Sequence, residues 1–451
     1  MTVLRLLTAA VLAVAAVPAG AAEKQPMPAS LTVQQAVRMA LGANPQLRRA
    51  QAALQEARAR HGLARAVNRP NFSITGYQSA QTINLRAHGI DGSTFQGIGD
   101  TPIPERFGPF GTFDGRFEMN TDILNFPKRF QQRAERFRVE SKESEAGNAR
   151  ELIAGEVVRH YIDALRAQAF EATAVQQLAS ARALLTITTD RFEQGVTSGL
   201  DRRRARARMT AAQQLVYEAQ GALEAAKLTL AHTLNAQITA NYELADIDLY
   251  FDSSAVAPSE ALARALRARP DYIAARKAVD SARMNLRAAQ SARLPQLTFH
   301  ADYGLSGRTM TTTVPTYRVL GNVLIPIYFG GRETALRTGA SAAVEEAEAS
   351  LEAIESEVEM EVRVALSAFN SARMQTEVAD ETVKLSREEV DLSLTRFQGG
   401  VTDNSEVVMA QERLARAEQG RIRALYNLNM ARMALHRAGG DAAETYGGAG
   451  K

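Results

Sequence analysis

Arg191-Phe192-Glu193-Gln194-Gly195-Val196-Thr197 returns later in the chain as Arg396-Phe397-Gln398-Gly399-Gly400-Val401-Thr402, with five of the seven positions identical. Each copy closes one long helical pattern and opens another. Gly195 and Gly400 stand where a helix ends in the left-handed region, which glycine alone enters without a steric cost. The two heptapeptides read as the tips of two helical hairpins, and the chain as a duplication built outward from them.

The duplication extends well beyond the tips. Leu31 to Arg69 carries apolar residues at helical spacing (Val33, Ala36, Val37, Ala40, Leu41), restarts at Asn44-Pro45 and stops at Pro70. From Ser259, a second pattern runs through Leu262, Leu266, Arg269-Pro270, Ile273, Val279 and Leu286 to Pro295. Pro45 pairs with Pro270 and Pro70 with Pro295, both at an offset of 225. Internal repetition of this kind decides architecture before any local feature does.

After each second proline the period changes to two. Phe72 and Ile74 alternate with Ser73 and Thr75, and Leu297, Phe299, Ala301, Tyr303 and Leu305 alternate with Thr298, His300, Asp302 and Gly304. A second run follows in each copy. Phe117, Met119 and Ile123 oppose Arg116, Glu118, Asn120 and Asp122, while Tyr317, Val319, Val323 and Ile325 oppose Thr316, Arg318 and Asn322. The strands are expected at about 71–83, 115–126, 296–306 and 316–326. Strands of roughly ten residues, apolar on one face and polar on the other, fit an outer-membrane barrel; a half-buried soluble sheet shares the alternation. The loop Asn84 to Asp114, rich in Gly and Pro, is long, and its counterpart Ser306 to Pro315 is short. Long loops of this kind are functional or disordered, and on a barrel they belong outside.

Each strand pair feeds a helix of roughly sixty residues, roughly 90 Å at 1.5 Å per residue. The junction Asn125-Phe126-Pro127-Lys128-Arg129-Phe130 aligns with Ile325-Pro326-Ile327-Tyr328-Phe329-Gly330. Val358, Val362, Ala365, Phe369, Ala372, Thr376, Ala379 and Val383 step by three and four, as do Val407, Ala410, Leu414, Ala417, Ala424, Leu428 and Ala431, with Arg421 interrupting. In the first copy Ala212, Leu215, Ala219, Ala222 and Ala226 do the same. This spacing implies antiparallel coiled-coil packing, and the many small residues let helices approach closely.

The expected organisation is a signal peptide at 1–22, a first repeat at 23–235, a packed linker at 236–257, a second repeat at 258–438 and a disordered tail at 439–451. Arg5, the apolar run Leu6 to Val17 and Pro18-Ala19-Gly20-Ala21-Ala22 make the export signal, too short for a spanning helix of about 20 residues. With no later span, entry into a membrane would be through β-strands. The formal net charge of +3 gives no reason to expect nucleic acid, and the absence of Cys excludes disulfides and a lipid anchor on a Cys. Six scattered His residues form no pair at ligand spacing, so no metal site or cofactor is expected. Neither a phosphate loop nor a nucleophile elbow is present, which argues against an enzyme.

Signal peptide, duplicated helix–strand pair–long helix–turn–helix, the Asn/Arg-Pro dipeptides, the proline junctions and the Arg-Phe-x-x-Gly turns together resemble the TolC-like outer-membrane efflux proteins. The resemblance implies a fold that is mainly α with a β-barrel portion: a trimeric outer-membrane barrel continued through the periplasm by a long α-helical barrel. Geometry agrees, because four strands cannot close in lipid whereas three chains supply twelve, enough for an aqueous lumen. Arg116, Glu118, Asp122, His300, Asp302 and Arg318 would face that lumen. The implied function is a passive exit duct in the outer membrane, working as a homotrimer with a periplasmic adaptor (membrane-fusion) protein and an inner-membrane pump of RND, ABC or MFS type, in a tripartite efflux or type I secretion system. A periplasmic coiled-coil adaptor or structural protein is the alternative.

The resemblance also implies a gate where acids ring the pore beside the tip turns, at Arg191, Phe192, Gly195, Arg396, Phe397 and Gly400. Asp201 lies six residues after Gly195, Glu406 six after Gly400, and Asp403 is nearer. Three-fold crowding of such acids binds cations; helix-terminal acids favoured by the dipole are the plain alternative. Arg202-Arg203-Arg204, with Arg206 and Arg208, departs from the family pattern, opposes the dipole and calls for acidic partners such as Glu406 or an adaptor surface.

Overall fold

A computed structural model describes residues 25–85, 87, 106–245, 258–399, 401–402 and 404–448. The expected signal segment, Gly400, Asp403 and part of the linker and long loop lie outside the described residues. In chain order the first half comprises β1 (Ser30–Leu31), α1 (Val33–Ala43), α2 (Pro45–Ala66), β2 (Asn71–Asn84), β3 (Arg106–Leu124), α3 (Phe126–Glu193), α4 (Gly199–Thr233) and β4 (Glu243–Leu244). The second half comprises α5 (Pro258–Ala268), α6 (Pro270–Gln290), a 3-10 turn at Ser291–Arg293, β5 (Gln296–Gly307), β6 (Thr313–Leu324), α7 (Arg332–Gln398), α8 (Asn404–Gly439) and α9 (Ala442–Gly447). Helices α3 and α7 have 68 and 67 residues, α4 and α8 have 35 and 36, so the duplication holds element by element.

The chain divides into two compact units, and α3 and α7 contribute residues to both. One unit comprises Gln46–Ala149 and Leu262–Glu361 and contains the sheet. Its four strands run in the order β2-β3-β5-β6, all antiparallel, with β2 and β6 as edges that are open among the described residues. Each hairpin comes from one repeat, and β3 pairs with β5 to join them. Strands β2 and β5 begin directly after Pro70 and Pro295, where proline bars a helix from continuing. Strand β3 starts earlier than expected, at Arg106 rather than near 115. Gly108-Pro109-Phe110-Gly111, read from sequence as loop, is therefore strand, because Gln81 pairs with Phe110 and Ala80 with Gly111. Small residues permit the closest approach at the centre: a Cβ on Gly304 would lie 2.3 Å from the Gly115 carbonyl oxygen. Helix α6 lacks a side-chain cap but has Pro270 at its start, and the buried Arg269 pairs with Asp271 (2.6 Å) and Glu361 (2.5 Å).

The other unit comprises Met1–Pro45, Arg150–Ala261 and Val362–Lys451. Strands β1 and β4 pair in parallel, Leu31 opposite Leu244. Thr32 and Gln35 form a reciprocal capping box that starts α1, whose Val33, Ala36, Val37 and Ala40 are buried. Tyr161 is fully buried and its hydroxyl donates to the Leu31 carbonyl at 2.8 Å. In the described part of the linker, Tyr242 is buried and its hydroxyl donates to the Lys227 carbonyl at 2.7 Å.

Helical seams follow the small-residue pattern. Ala174 and Leu178 pack with Val216 and Ala219, and Phe369 and Ala372 pack with Leu428 and Ala431. In α4 the seam passes through Val216, Ala219 and Leu230 and leaves Ala222 exposed. The larger side chain decides which face turns inward, because it removes more apolar area from water. Arg421 stays exposed and pairs with Asp380 at 2.5 Å, so it flanks the seam without entering it.

The tail expected to be disordered is instead ordered through Gly448. Helix α9 buries Ala442 and Tyr446. Glu151 accepts a hydrogen bond from the Ala443 amide at 3.0 Å, Tyr446 meets the His436 ring edge-on at 5.6 Å, and Asp441 lies 3.2 Å from His436 Nδ1. Burial holds the Glu151 carboxyl above the usual glutamate range, partly offset by the amides of Ala443 and Ala442. Glycine content alone suggested disorder; one buried tyrosine and a capped first turn outweigh it.

Candidate functional site

Two groups of residues carry the functional reading, one on the sheet and one at the hairpin tips. On the sheet, register settles which side chains share a face. Glu118 lies opposite Asp302 and Asp302 opposite Arg318; Asn120 lies opposite His300, and Asp122 opposite Thr298. These residues form one polar face. The other face carries Phe72, Ile74, Phe117, Tyr303, Tyr317, Val319 and Val323, all exposed, with Phe72 and Phe117 stacked at 5.8 Å.

Asp302 is the centre of the polar face and is itself buried. It accepts from Arg116, lies 2.9 Å from His300 Nε2, and accepts from Arg318 Nε at 3.0 Å. Arg116 also reaches Asp114 at 2.7 Å, and His300 Nδ1 lies 2.7 Å from Asn120 Oδ1. A buried carboxylate needs this many donors, since an unpaired charge there is strongly destabilising. Glu118 accepts from the Thr75 hydroxyl at 2.8 Å, and Asp122 pairs with Lys128 at 2.5 Å where α3 begins. Of the six polar-face residues expected from sequence, Arg116, His300, Asp302 and Arg318 meet in one cluster, and Glu118 and Asp122 have other partners. Asp114 was missed because it fell in the expected loop. Extending the alternation two residues back from Arg116 would have found it.

At the tips, Gly195 has φ +74°, and its N–H donates to Phe192 at 3.0 Å while that of Val196 donates to Arg191 at 2.9 Å. The matching Val401-to-Arg396 bond is 3.0 Å. Beyond each turn the same side-chain contact recurs: Thr197 donates to Asp201 at 3.2 Å, and Thr402 donates to Glu406. Asp201 is the third residue of a capping box with Ser198, whose hydroxyl donates to it at 2.5 Å and accepts from the Asp201 amide at 3.2 Å. The Ser198 and Thr197 hydroxyls hold its carboxyl below the usual aspartate range. Glu406 pairs with Arg396 at 3.5 Å.

The two arginines of the repeated turn behave differently. Arg191 donates to the last carbonyls of α7, those of Phe397 at 3.0 Å and Gln398 at 3.1 Å, and its guanidinium sits 4.4 Å from the Phe397 ring centroid. Phe397 is buried with Leu184 and Val407. The arginine cluster finds partners other than Glu406. Arg204 reaches Asp201 at 3.9 Å, Arg208 reaches Glu412 at 3.2 Å, and Arg202 lies over the Phe192 ring at 4.2 Å.

Among the described residues no group of His, Asp and Glu has the arrangement of a metal site, and no helix is long and apolar enough to cross a membrane. The described residues thus combine two long helical hairpins with one two-faced, four-stranded sheet. Residues 36–236 and 261–441 match the family model "Outer membrane efflux protein", and the chain belongs to that family. It is 27% identical over 293 residues to the pyoverdine export outer membrane protein OpmQ of Pseudomonas putida, a match covering 63% of this chain and 61% of that one. It is 24% identical to the outer membrane protein TolC of Vibrio cholerae over 71% of this chain and 76% of the relative. The structure of the outer-membrane channel OprN superposes with a TM-score of 0.75 at 21% identity, covering 90% of this chain and 89% of that one. The family is one of outer-membrane conduits and not of enzymes.

Proposed function

We propose that this chain assembles as a homotrimer into the exit duct of a tripartite efflux or type I secretion system in the outer membrane. The observation that carries this reading is the sheet, with an exposed apolar face, a charged face and, among the described residues, both edges unpaired. Unpaired edges are untenable in lipid, where every backbone group must find a partner. Three copies of a four-stranded sheet close a barrel of twelve strands, and its charged face then lines a water-filled lumen. Arg116, Glu118, Asp122, His300, Asp302 and Arg318 face that lumen. Solutes pass without a bond being made or broken. The driving energy comes from an inner-membrane pump, reached through a periplasmic adaptor at the hairpins.

At the gate, the two acids have different roles. Asp201 is engaged by its capping box, which supports the role of a helix-terminal acid. Glu406 is tied to Arg396 and Thr402, which supports a latch over a free cation-binding ring.

Sidedness tests the reading. Phe299→Arg puts a charge on the apolar face and should cost about 2–4 kcal/mol near the bilayer midplane in a membrane-refolding assay, while Thr298→Arg is tolerated on the lumen face. Purified wild-type chain should also conduct ions in planar bilayers. Equal destabilisation by the two arginines, or no conductance, rejects the duct.

A further inference from the structure

Helix α9 has only six residues, Ala442–Gly447, too few to hold a helical conformation alone, so its order rests on what it touches. Gly440 (φ +78°) turns the chain back after α8, and the Asp441 amide donates to the His436 carbonyl at 3.1 Å. Asp441 stands at the cap position of α9, yet its side chain caps no amide there. It is directed at His436 instead, with Oδ1 3.2 Å from Nδ1. The Thr445 hydroxyl lies 3.4 Å from the same nitrogen. The cap comes from another helix: Glu151 of α3 accepts from the Ala443 amide at 3.0 Å and from the Ala442 amide. On its far side α9 buries Gly447, where a Cβ would lie 3.6 Å from Val37 of α1.

Two carboxyls therefore crowd the start of one short helix, and a histidine faces one of them. Burial, with a smaller push from the Asp441 charge, holds Glu151 above the usual glutamate range against the two amides and Arg150. A carboxyl raised in this way contributes stability that is complete below its unfolded value and is lost as pH rises through the folded one. Histidine changes charge between about pH 5 and 8, and a proton on His436 turns its contact with Asp441 into an ion pair. Both groups act in the same direction. The other charged groups around them do not titrate with them. Arg150 of α3 and Arg432 and Arg437 of α8 stay charged, and burial keeps the Tyr446 phenol neutral. Glu444 of α9 and Arg38 of α1 are exposed.

We infer that α9 is an acid-tightened clasp, in which the Glu151 carboxyl and the His436–Asp441 contact fasten the helix to α1, α3 and α8 more firmly as pH falls. Protonated Glu151 still accepts from the two amides and no longer repels Asp441, whose charge His436 then balances. The clasp makes pH a control on how firmly the β1–α1 segment is held to the long helices. It depends on neither the barrel nor the trimer.

Hydrogen exchange of the full chain in detergent tests the clasp. It would be read by mass spectrometry on peptides covering 441–448 and corrected for the intrinsic pH dependence, with peptides from the middle of α4 as reference. Protection of α9 should rise by at least about threefold from about pH 7.5 to about pH 5.5, while the reference holds. Glu151→Gln keeps an accepting oxygen without the charge, and should leave α9 near its acid-state protection at both pH values. His436→Gln should lessen the rise, and the double variant should show none. Should a variant lose protection in the reference peptides as well, the wild-type profile decides. Unchanged or falling protection of α9 in acid in the wild-type chain overturns the clasp. So does a full wild-type rise in a folded double variant, since other groups would then cause it.

Discussion

The two hairpin tips share five of seven residues, yet they are wired differently. Phe397 is buried between Leu184 and Val407, whereas Phe192 is half-exposed beneath the Arg202 guanidinium. Arg191 crosses to the other hairpin and binds the end of α7; Arg396 stays in its own hairpin and pairs with Glu406. Identical residues at equivalent positions thus serve one tip as a tether between hairpins and the other as a local ion pair. A repeat fixes local geometry, the turn and its Thr-to-acid contact. It does not fix what a long side chain meets across a seam, since the two copies have different neighbours.

The largest expected consequence is in the phenylalanines. Phe397→Ala should destabilise its tip by about 3–5 kcal/mol, and Phe192→Ala by distinctly less, read as loss of amide-exchange protection in the last turns of α7 and α3. Equal loss at both would erase the asymmetry.

The arginines should follow. Arg191→Met removes two charge-assisted bonds to helix carbonyls, worth about 1.5–3 kcal/mol, whereas Arg396→Met breaks an exposed pair worth about 0–1 kcal/mol. Their functional effects reverse in kind. Loss of Arg396, or Glu406→Gln, should raise basal conductance in single-channel recordings and leave divalent block unchanged. A change in block with no change in conductance would restore the cation ring and sink the latch.

Smaller still is the turn itself. No atom lies within 4 Å of a Cβ built on Gly195, so Gly195→Ala pays only for its left-handed backbone, on the order of 1 kcal/mol. A thermal shift of the tip larger than that of Phe192→Ala would contradict this.

Acid should have the smallest effect and should distinguish the tips. The Ser198 and Thr197 hydroxyls lower the Asp201 pKa in the folded state. Its contribution is therefore complete above the unfolded aspartate value and is lost as pH falls through the lower folded value. Amide exchange at the start of α4 should accelerate only in strong acid, and Asp201→Asn should remove that dependence. A transition near neutral pH would point to a different group.

Much of this architecture was legible in the residues. The duplication, the order of helices and strands, the proline stops and the two faces of the sheet follow from periodicity, because a strand repeats every two residues and a helix every 3.6. So does the positive φ at Gly195, where a steric rule leaves glycine as the favoured choice. Tertiary structure alone decided the pairing of β3 with β5, which joins the repeats, and with it the meeting of Arg116 and Asp302. It decided that Tyr446 is buried and orders a glycine-rich tail, and that Arg191 tethers α7 while its twin Arg396 does not. Those outcomes join residues far apart in the chain, and no local period encodes which distant neighbour a side chain reaches once the seams have closed.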